Sequence, residues 1–328
     1  MALANPTWNQ HYITQAEQRL NAIDRSKPKD RQRIWAFRVD DHDSHALAVP
    51  TKERIKYSLS LEDLFSLHVF DERQRANLES LFEQYERKIT SDSQRLIDKL
   101  RTNQSRLNIR SELRSIFTSK LLNFARNPNG IVKALNTFGA VTDHKFGDPE
   151  MQREFAELCA GSRPQRDTVC ATFGVSPDAY DRWLQMLYML LIETRTDAGP
   201  FSLFRDVVAG MFGNNFVTVF VFEYTDDNPE HVCLLSDRGL NSYEAPLGQG
   251  FAAIFEFNLN AKTFACFSFA DPTLYSERLP ASTIAAASGQ LIVTRVIDDI
   301  SCLVKYNQRT MSHCASMVFG ATPSPKTS

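Results

Sequence analysis

Apolar residues recur at two different periods along this chain, and the period changes near residue 214. Between residues 72 and 101, Leu78, Phe82, Tyr85, Ile89, Leu96 and Leu100 stand at multiples of three and four. That spacing puts them on one stripe and predicts a long helix over 72–101. Residues 107–126 repeat the pattern with Ile109, Leu113, Ile116, Phe117, Leu121 and Phe124. This second helix stops at Asn127, because Pro128 disfavours helical geometry in the residue before it. The segment SPDAYDRWLQMLYMLLIETR opens with Ser176 as N-cap, Pro177 at the first helical position and Asp178 in the first turn. Tyr180, Trp183, Leu184, Leu187, Tyr188 and Leu191 form its stripe, and FSLFRDVVAGMF (201–212) reads as another helix.

After residue 214 the texture turns to β-branched and aromatic runs: NFVTVFVFEYT, HVCLLSD, AAIFEFNL, TFACFSF and QLIVTRVI. Turn residues such as DDNP and NLNAK punctuate them, which predicts a mainly antiparallel sheet. A last helix over 298–318, with the stripe Ile300, Leu303, Val304, Asn307, Met311, Cys314, Ala315 and Val318, covers one face of that sheet. At the other end, HYITQAEQRLNAI suits a short helix, and RIWAFRV (33–39) pairs with HALAV (45–49) across the turn DDHDS. The fold class is α+β: an N-terminal mixed segment, a helical middle and a C-terminal sheet under a terminal helix. A single domain spans 1–320, in sub-regions 1–70, 72–212 and 214–319, and the Pro/Ser-rich residues 321–328 form a disordered tail.

Composition narrows the class without naming a function. The 328 residues are 43% hydrophobic and 23% charged, an ordinary globular balance. A formal charge of −2 provides no global field toward nucleic acid or an anionic membrane. None of the six cysteines forms a C-x-x-C pair, the usage of reduced thiols in a cytoplasmic protein. No apolar stretch reaches the roughly 18 residues a membrane span needs. The N-terminus MALANPTWNQHY is not a signal peptide.

Candidate chemistry begins where HVCLLSDRGLNSY places Ser236, Asp237 and Arg238 at the end of an apolar run, in a loop with Gly239, Gly248 and Gly250. An acid there needs water or a partner. The plain reading is that Ser236 and Asp237 cap a turn, with Arg238 in solvent. His11 and Tyr12, followed by Glu17 and Arg19, offer a base, a hydrogen-bond donor and a phosphate clamp, although a lone histidine is more often structural. Arg126 ends a helix, where the macrodipole alone favours a cation. Asn307 falls on the apolar stripe of the last helix and must find partners if buried. The H-x-x-H of DDHDSH (40–45) lies in a turn with no helix to converge the side chains, so no metal ligands are assigned. P-loop, G-x-G-x-x-G, G-x-S-x-G and H-E-x-x-H signatures are absent from the sequence.

In their order, these pieces resemble a bacterial family, the domain of unknown function 4238. His11-Tyr12, Glu86 in ESLFEQYERKI, Phe124 with Arg126-Asn127-Pro128, Ser236-Asp237, FEFNLNAKTF at 255–264 and Asn307 match its successive motifs, from about residue 9 to 319. Thr14 stands where the family has Pro, EQRLN replaces its YLRxF, and Arg238-Gly239 replace a residue followed by Pro. The resemblance implies no established activity. Its members look like stand-alone bacterial proteins, some near mobile elements and phage-defence genes, and this association points to phage defence or a toxin-like effector.

If the motifs mark one site, His11, Glu17 and Asp237 are its catalytic residues. Tyr12, Arg19, Arg126, Ser236, Arg238 and Asn307 then bind substrate. Such a set suits a phosphodiesterase or nuclease acting on nucleic acid or nucleotide, with a divalent metal such as Mg²⁺ as the cofactor to test. A shared site predicts Asp237 within about 10 Å of His11, a relay through one or two waters. The other class is a non-catalytic binding or effector module in which the same residues form a structural network. The balanced charge favours that alternative, since nucleases commonly carry a basic track.

Overall fold

The computed structural model describes residues 3–71, 74–102, 108–196, 199–247, 250–275 and 286–328. The architecture is α+β, with helices in the middle and antiparallel sheets toward the C-terminus. Contacts gather the chain into two compact units that alternate along the sequence, so the sub-regions 1–70, 72–212 and 214–319 do not coincide with them. Gly248 lies outside the described residues.

The first unit comprises Met1–Tyr12, Leu59–Arg87 and Leu121–Asp206. Its centre is the helix Pro177–Leu191, whose N-cap Ser176 accepts from the Ala179 amide at 3.2 Å. The whole expected stripe is buried, and so are Met186, Met189 and Leu190. Its last turns, Met186–Leu191, are apolar and buried on every face, so they lie inside a core rather than upon one. Its polar tips are matched: the Trp183 indole donates to Ala125 O and the Tyr180 hydroxyl to Leu64 O, both at 2.8 Å. Phe65 packs against Phe82 and Trp183, with ring centroids 4.8 and 5.6 Å away. Two short antiparallel pairs complete this part of the unit, Asn9–His11 with Ser60–Glu62 and Ser66–Val69 with Arg75–Asn77.

The second unit comprises Ile13–Ser58, Lys88–Lys120 and Val207–Ser328. Its larger sheet runs, in spatial order, Asn241–Leu247, Gly250–Asn260, Thr263–Ala270, Phe216–Glu223 and Leu291–Ile297. Only the last neighbours, Phe216–Glu223 and Leu291–Ile297, pair in parallel. Phe117 packs against Phe212, Phe255, Phe267 and Phe269, which gives this sheet an aromatic core. A second sheet joins Leu235–Ser236, Met317–Gly320, Arg33–Asp41 and Ala46–Leu47, and Thr51–Arg54 also pairs with Arg33–Asp41.

Four expectations are corrected here. The helix expected over 72–101 is a strand, Arg75–Asn77, and two helices, Glu79–Glu86 and Ile89–Arg101. Its stripe serves two cores: Leu78, Phe82 and Tyr85 are buried in the first unit, Ile89, Leu96 and Leu100 in the second. The run HVCLLSD is buried, but only Leu235–Ser236 is strand. The last helix is Ile300–His313, capped by Asp299, and the chain then enters the strand Met317–Gly320. Residues 321–328 are bonded rather than loose: Lys326 N donates to Glu230 O at 2.8 Å, and the Gln308 amide to Thr327 O at 3.0 Å.

Candidate functional site

In the first unit, the helix Glu79–Glu86 carries Glu79, Phe82, Glu83 and Glu86 three or four residues apart, hence on one face. Arg126 directly follows the helix Arg110–Ala125 and is 1% exposed. Its Nη1 forms an ion pair with Glu86 Oε1. Its Nη2 donates to Asn123 Oδ1 at 3.0 Å, and its guanidinium carbon lies 4.9 Å from the centre of the Phe82 ring. The resemblance motifs of Glu86 and Arg126 therefore meet in one ion pair, with Arg126 buried and Glu86 partly exposed. A guanidinium taken from water requires such a partner.

Glu79 opens the same helix. Its backbone N–H donates to Asn77 Oδ1 at 3.1 Å. Burial pushes its carboxyl up to about 7; Arg126 pulls it back, while Glu86 and Glu83 push it further up. Glu79 Oε1 is sealed from solvent and has no hydrogen-bond partner among the described residues, and the same holds for Arg126 Nε. One acceptor and one donor, electrostatically coupled and both unused, thus belong to a single cluster.

His11 and Tyr12 lie in this unit too. His11 ends the strand Asn9–His11, in register with Ser60, and the Tyr12 ring meets Phe173 edge to face at 6.4 Å. Asp237 lies in the second unit.

The remaining expected residues are in the second unit, and each is engaged within it. Thr14 Oγ1 accepts from the Glu17 N–H at 3.0 Å. TQAE is therefore the start of a helix with the capping-box sequence. This gives Thr14 its own role at the position where the family pattern has Pro. The Glu17 carboxylate takes the Lys120 ammonium at 2.6 Å, and both side chains are 2% exposed. Arg19 donates to Gln15 Oε1, one helical turn back.

Asp237 is 2% exposed and accepts three backbone N–H groups. Oδ1 takes Ala315 at 2.8 Å, and Oδ2 takes Ser316 at 2.8 Å and Met317 at 2.9 Å. Burial pushes this carboxyl up, and the three amides pull it back. Those amides point at Asp237, so they cannot continue the preceding helix, and the chain turns into its strand there. Ser236 Oγ accepts from Arg238 N at 3.1 Å, Arg238 is exposed, and Gly239 closes the turn at φ +78°. A side chain is strained at that φ, so the glycine is required by geometry.

Asn307 is fully buried. Its Oδ1 accepts from Leu234 N at 2.9 Å, while Nδ2 donates to Val232 O at 2.9 Å and Lys326 O at 2.8 Å. Tyr306 adds a bond to Leu234 O at 3.0 Å. The apolar run before Asp237 is thus satisfied largely by side chains of the last helix. The histidines of DDHDSH do likewise: His42 Nδ1 contacts Met311 O at 2.8 Å, and His45 Nε2 contacts Ser312 Oγ at 2.9 Å. Among the described residues, no group of three or more His, Cys, Asp or Glu is placed to hold a metal ion.

Comparison with protein families, curated proteins and solved structures finds no match in any of the three. The resemblance to the domain of unknown function 4238 family therefore rests on motif order alone. Among the described residues, no helix is long and apolar enough to cross a membrane.

Sequence reasoning missed Glu79. Its signal was available in part: ESLFEQYE places three acids on one face of a helix that also buries Phe82.

Proposed function

We propose that this chain is a cytoplasmic hydrolase of phosphoester bonds in nucleotides or nucleic acid, with Glu79 as its acid–base group. Glu79 carries the reading. A carboxyl at about 7 is divided between its two protonation states at neutral pH. Ionised, it accepts a proton from an attacking water; protonated, it donates one to a leaving oxygen. Arg126 fixes Glu86 and Phe82 beside it. His11 and Tyr12 belong to the same unit. The six unpaired cysteines fit a reducing compartment. A divalent cation such as Mg²⁺ enters this scheme on the substrate's own phosphates.

The test is hydrolysis by the full chain of DNA, RNA and nucleoside mono-, di- and triphosphates, with and without Mg²⁺ or Mn²⁺. The wild type should cleave at least one class. Glu79→Gln should lower kcat about a hundredfold or more without lowering Tm. No turnover under any condition, or an unimpaired Glu79→Gln, overturns the proposal.

A specific observation favours a second reading, a non-catalytic binding or effector module. Glu17, Asp237 and Asn307 are all consumed by bonds within the second unit. In that reading they are scaffold, and the wild type is inactive on every substrate above.

A further inference from the structure

The first unit holds a cavity of about 470 Å³, lined by His68, Phe70, Arg75, Glu154, Glu157 and Leu158 among others. That volume lies in the range of small-molecule sites. It shares no lining residue with the Glu79 cluster.

The cavity's walls are chemically distinct. One comes from the strands Ser66–Val69 and Arg75–Asn77 and from Phe70, which follows the first of them. There the rings of His68 and Phe70 stack in parallel, with centroids 3.9 Å apart and an interplanar angle of 14°, and Phe70 is 61% exposed. The stack is seated by Gly161: a Cβ at that position would stand 2.6 Å from His68 Cβ, so no side chain fits. Val69 N donates to Ser162 O at 2.9 Å and ties the strand to the same segment. Arg75 belongs to this wall, and its Nε is held by Asp63 at 2.7 Å.

The opposite chemistry comes from the helix Pro149–Cys159, where Glu154 and Glu157 stand three apart on one face beside Leu158. Ionised carboxylates only accept hydrogen bonds. A ligand that satisfies them must present an edge made of donors. A flat ring is suited to the exposed aromatic stack. A guanidinium elsewhere in the lining suits ring acceptors. Among the nucleobases, guanine alone has two adjacent donors, N1–H and the N2 amino group, on one edge and the acceptors O6 and N7 on another. Adenine and cytosine each set a donor beside an acceptor on the corresponding edge.

We propose that this cavity binds a guanine-type ring. The ring stacks on Phe70, donates N1–H and N2–H to Glu154 with Glu157 at the rim, and turns its acceptors toward Arg75. Binding at this site does not depend on the hydrolytic reading, because it requires no turnover and no residue of the Glu79 cluster.

Calorimetric titration of the full chain with guanosine, inosine and adenosine tests the proposal. Inosine differs from guanosine only in lacking the 2-amino group. Guanosine should bind saturably at one site, with inosine and adenosine at least tenfold weaker. Glu154→Gln and Phe70→Ala should each weaken guanosine at least tenfold while their melting curves stay within those of the wild type. If Phe70→Ala alone melts early, Glu154→Gln, an isosteric change on a helix surface, decides. Absence of saturable guanosine binding, equal affinity for inosine, or unchanged binding by Glu154→Gln overturns the proposal.

Discussion

We predict that Asp237→Asn destabilises the protein, even though it preserves shape. In the folded chain the carboxylate receives three backbone N–H groups at 2.8, 2.8 and 2.9 Å. Hydrogen bonds to a charged acceptor contribute about 1.5–3 kcal/mol each, and neutral ones about 1. An asparagine has one acceptor oxygen. Its best orientation leaves that oxygen on Ser316 and Met317 and points its NH₂ at the Ala315 N–H, donor against donor. The orphaned amide costs about 1–3 kcal/mol, and the two retained bonds weaken to neutral strength. Relief of the buried charge offsets part of this, leaving a net loss of about 3 kcal/mol. For a unit of this size that corresponds to a Tm lower by roughly 5–10 °C. Thermal melting followed by circular dichroism reads the shift directly. Asp237→Ala, which removes all three acceptor contacts, should melt at least as early. A Tm unchanged within a degree in Asp237→Asn would refute the reasoning and return Asp237 to the list of residues free for catalysis.

Three further outcomes follow from the same bonds. Lys120→Met strands the buried Glu17 carboxylate and should cost about 3–5 kcal/mol in urea unfolding, whereas Lys120→Met with Glu17→Leu should recover most of it; a double variant as weak as the single one contradicts this. Asn307→Ala orphans Leu234 N–H and two carbonyls and should cost about 2–4 kcal/mol, read as a lower urea midpoint; an unchanged midpoint would mean that these groups find other partners. For Glu79 the folded pKa of about 7 lies above the ordinary value of 4.5. Between those values the unfolded chain releases a proton that the folded chain keeps, so stability falls as pH rises from 4.5 to 7, by roughly 3 kcal/mol, and is level above. Glu79→Gln should remove that slope, and parallel stability curves for the two proteins would show that Glu79 titrates normally.

Local patterns carried much of the fold. Ser176-Pro177-Asp178 announced the start of the central helix, Asn127-Pro128 the end of another, and the apolar stripes marked which faces are buried. These features depend on neighbours within a turn or two, so a sequence displays them. The break after Glu86 was hidden, because Leu78, Phe82 and Tyr85 continue the same spacing as Ile89 and Leu96 while packing into another core. Val232–Leu234 read as strand because its side chains are buried. Three of its backbone groups, however, are taken by the Asn307 and Tyr306 side chains, some seventy residues away. At the candidate site, Arg126 and Glu86 were visible as motif residues, but their pairing was not. Glu79 looked like any surface acid of an amphipathic helix, since burial by distant segments leaves no local mark.

The protonation state of Glu79 decides whether this cluster can act as an acid–base site. Carbon-detected NMR of protein labelled at the glutamate side-chain carboxyls, titrated from pH 4 to 9, measures it. Comparison with Glu79→Gln assigns the resonance. We predict one glutamate carboxyl with a midpoint at about 7 that is missing from the variant. If the Glu79 resonance titrates near 4.5 with the ordinary glutamates, the acid–base site proposed here is contradicted.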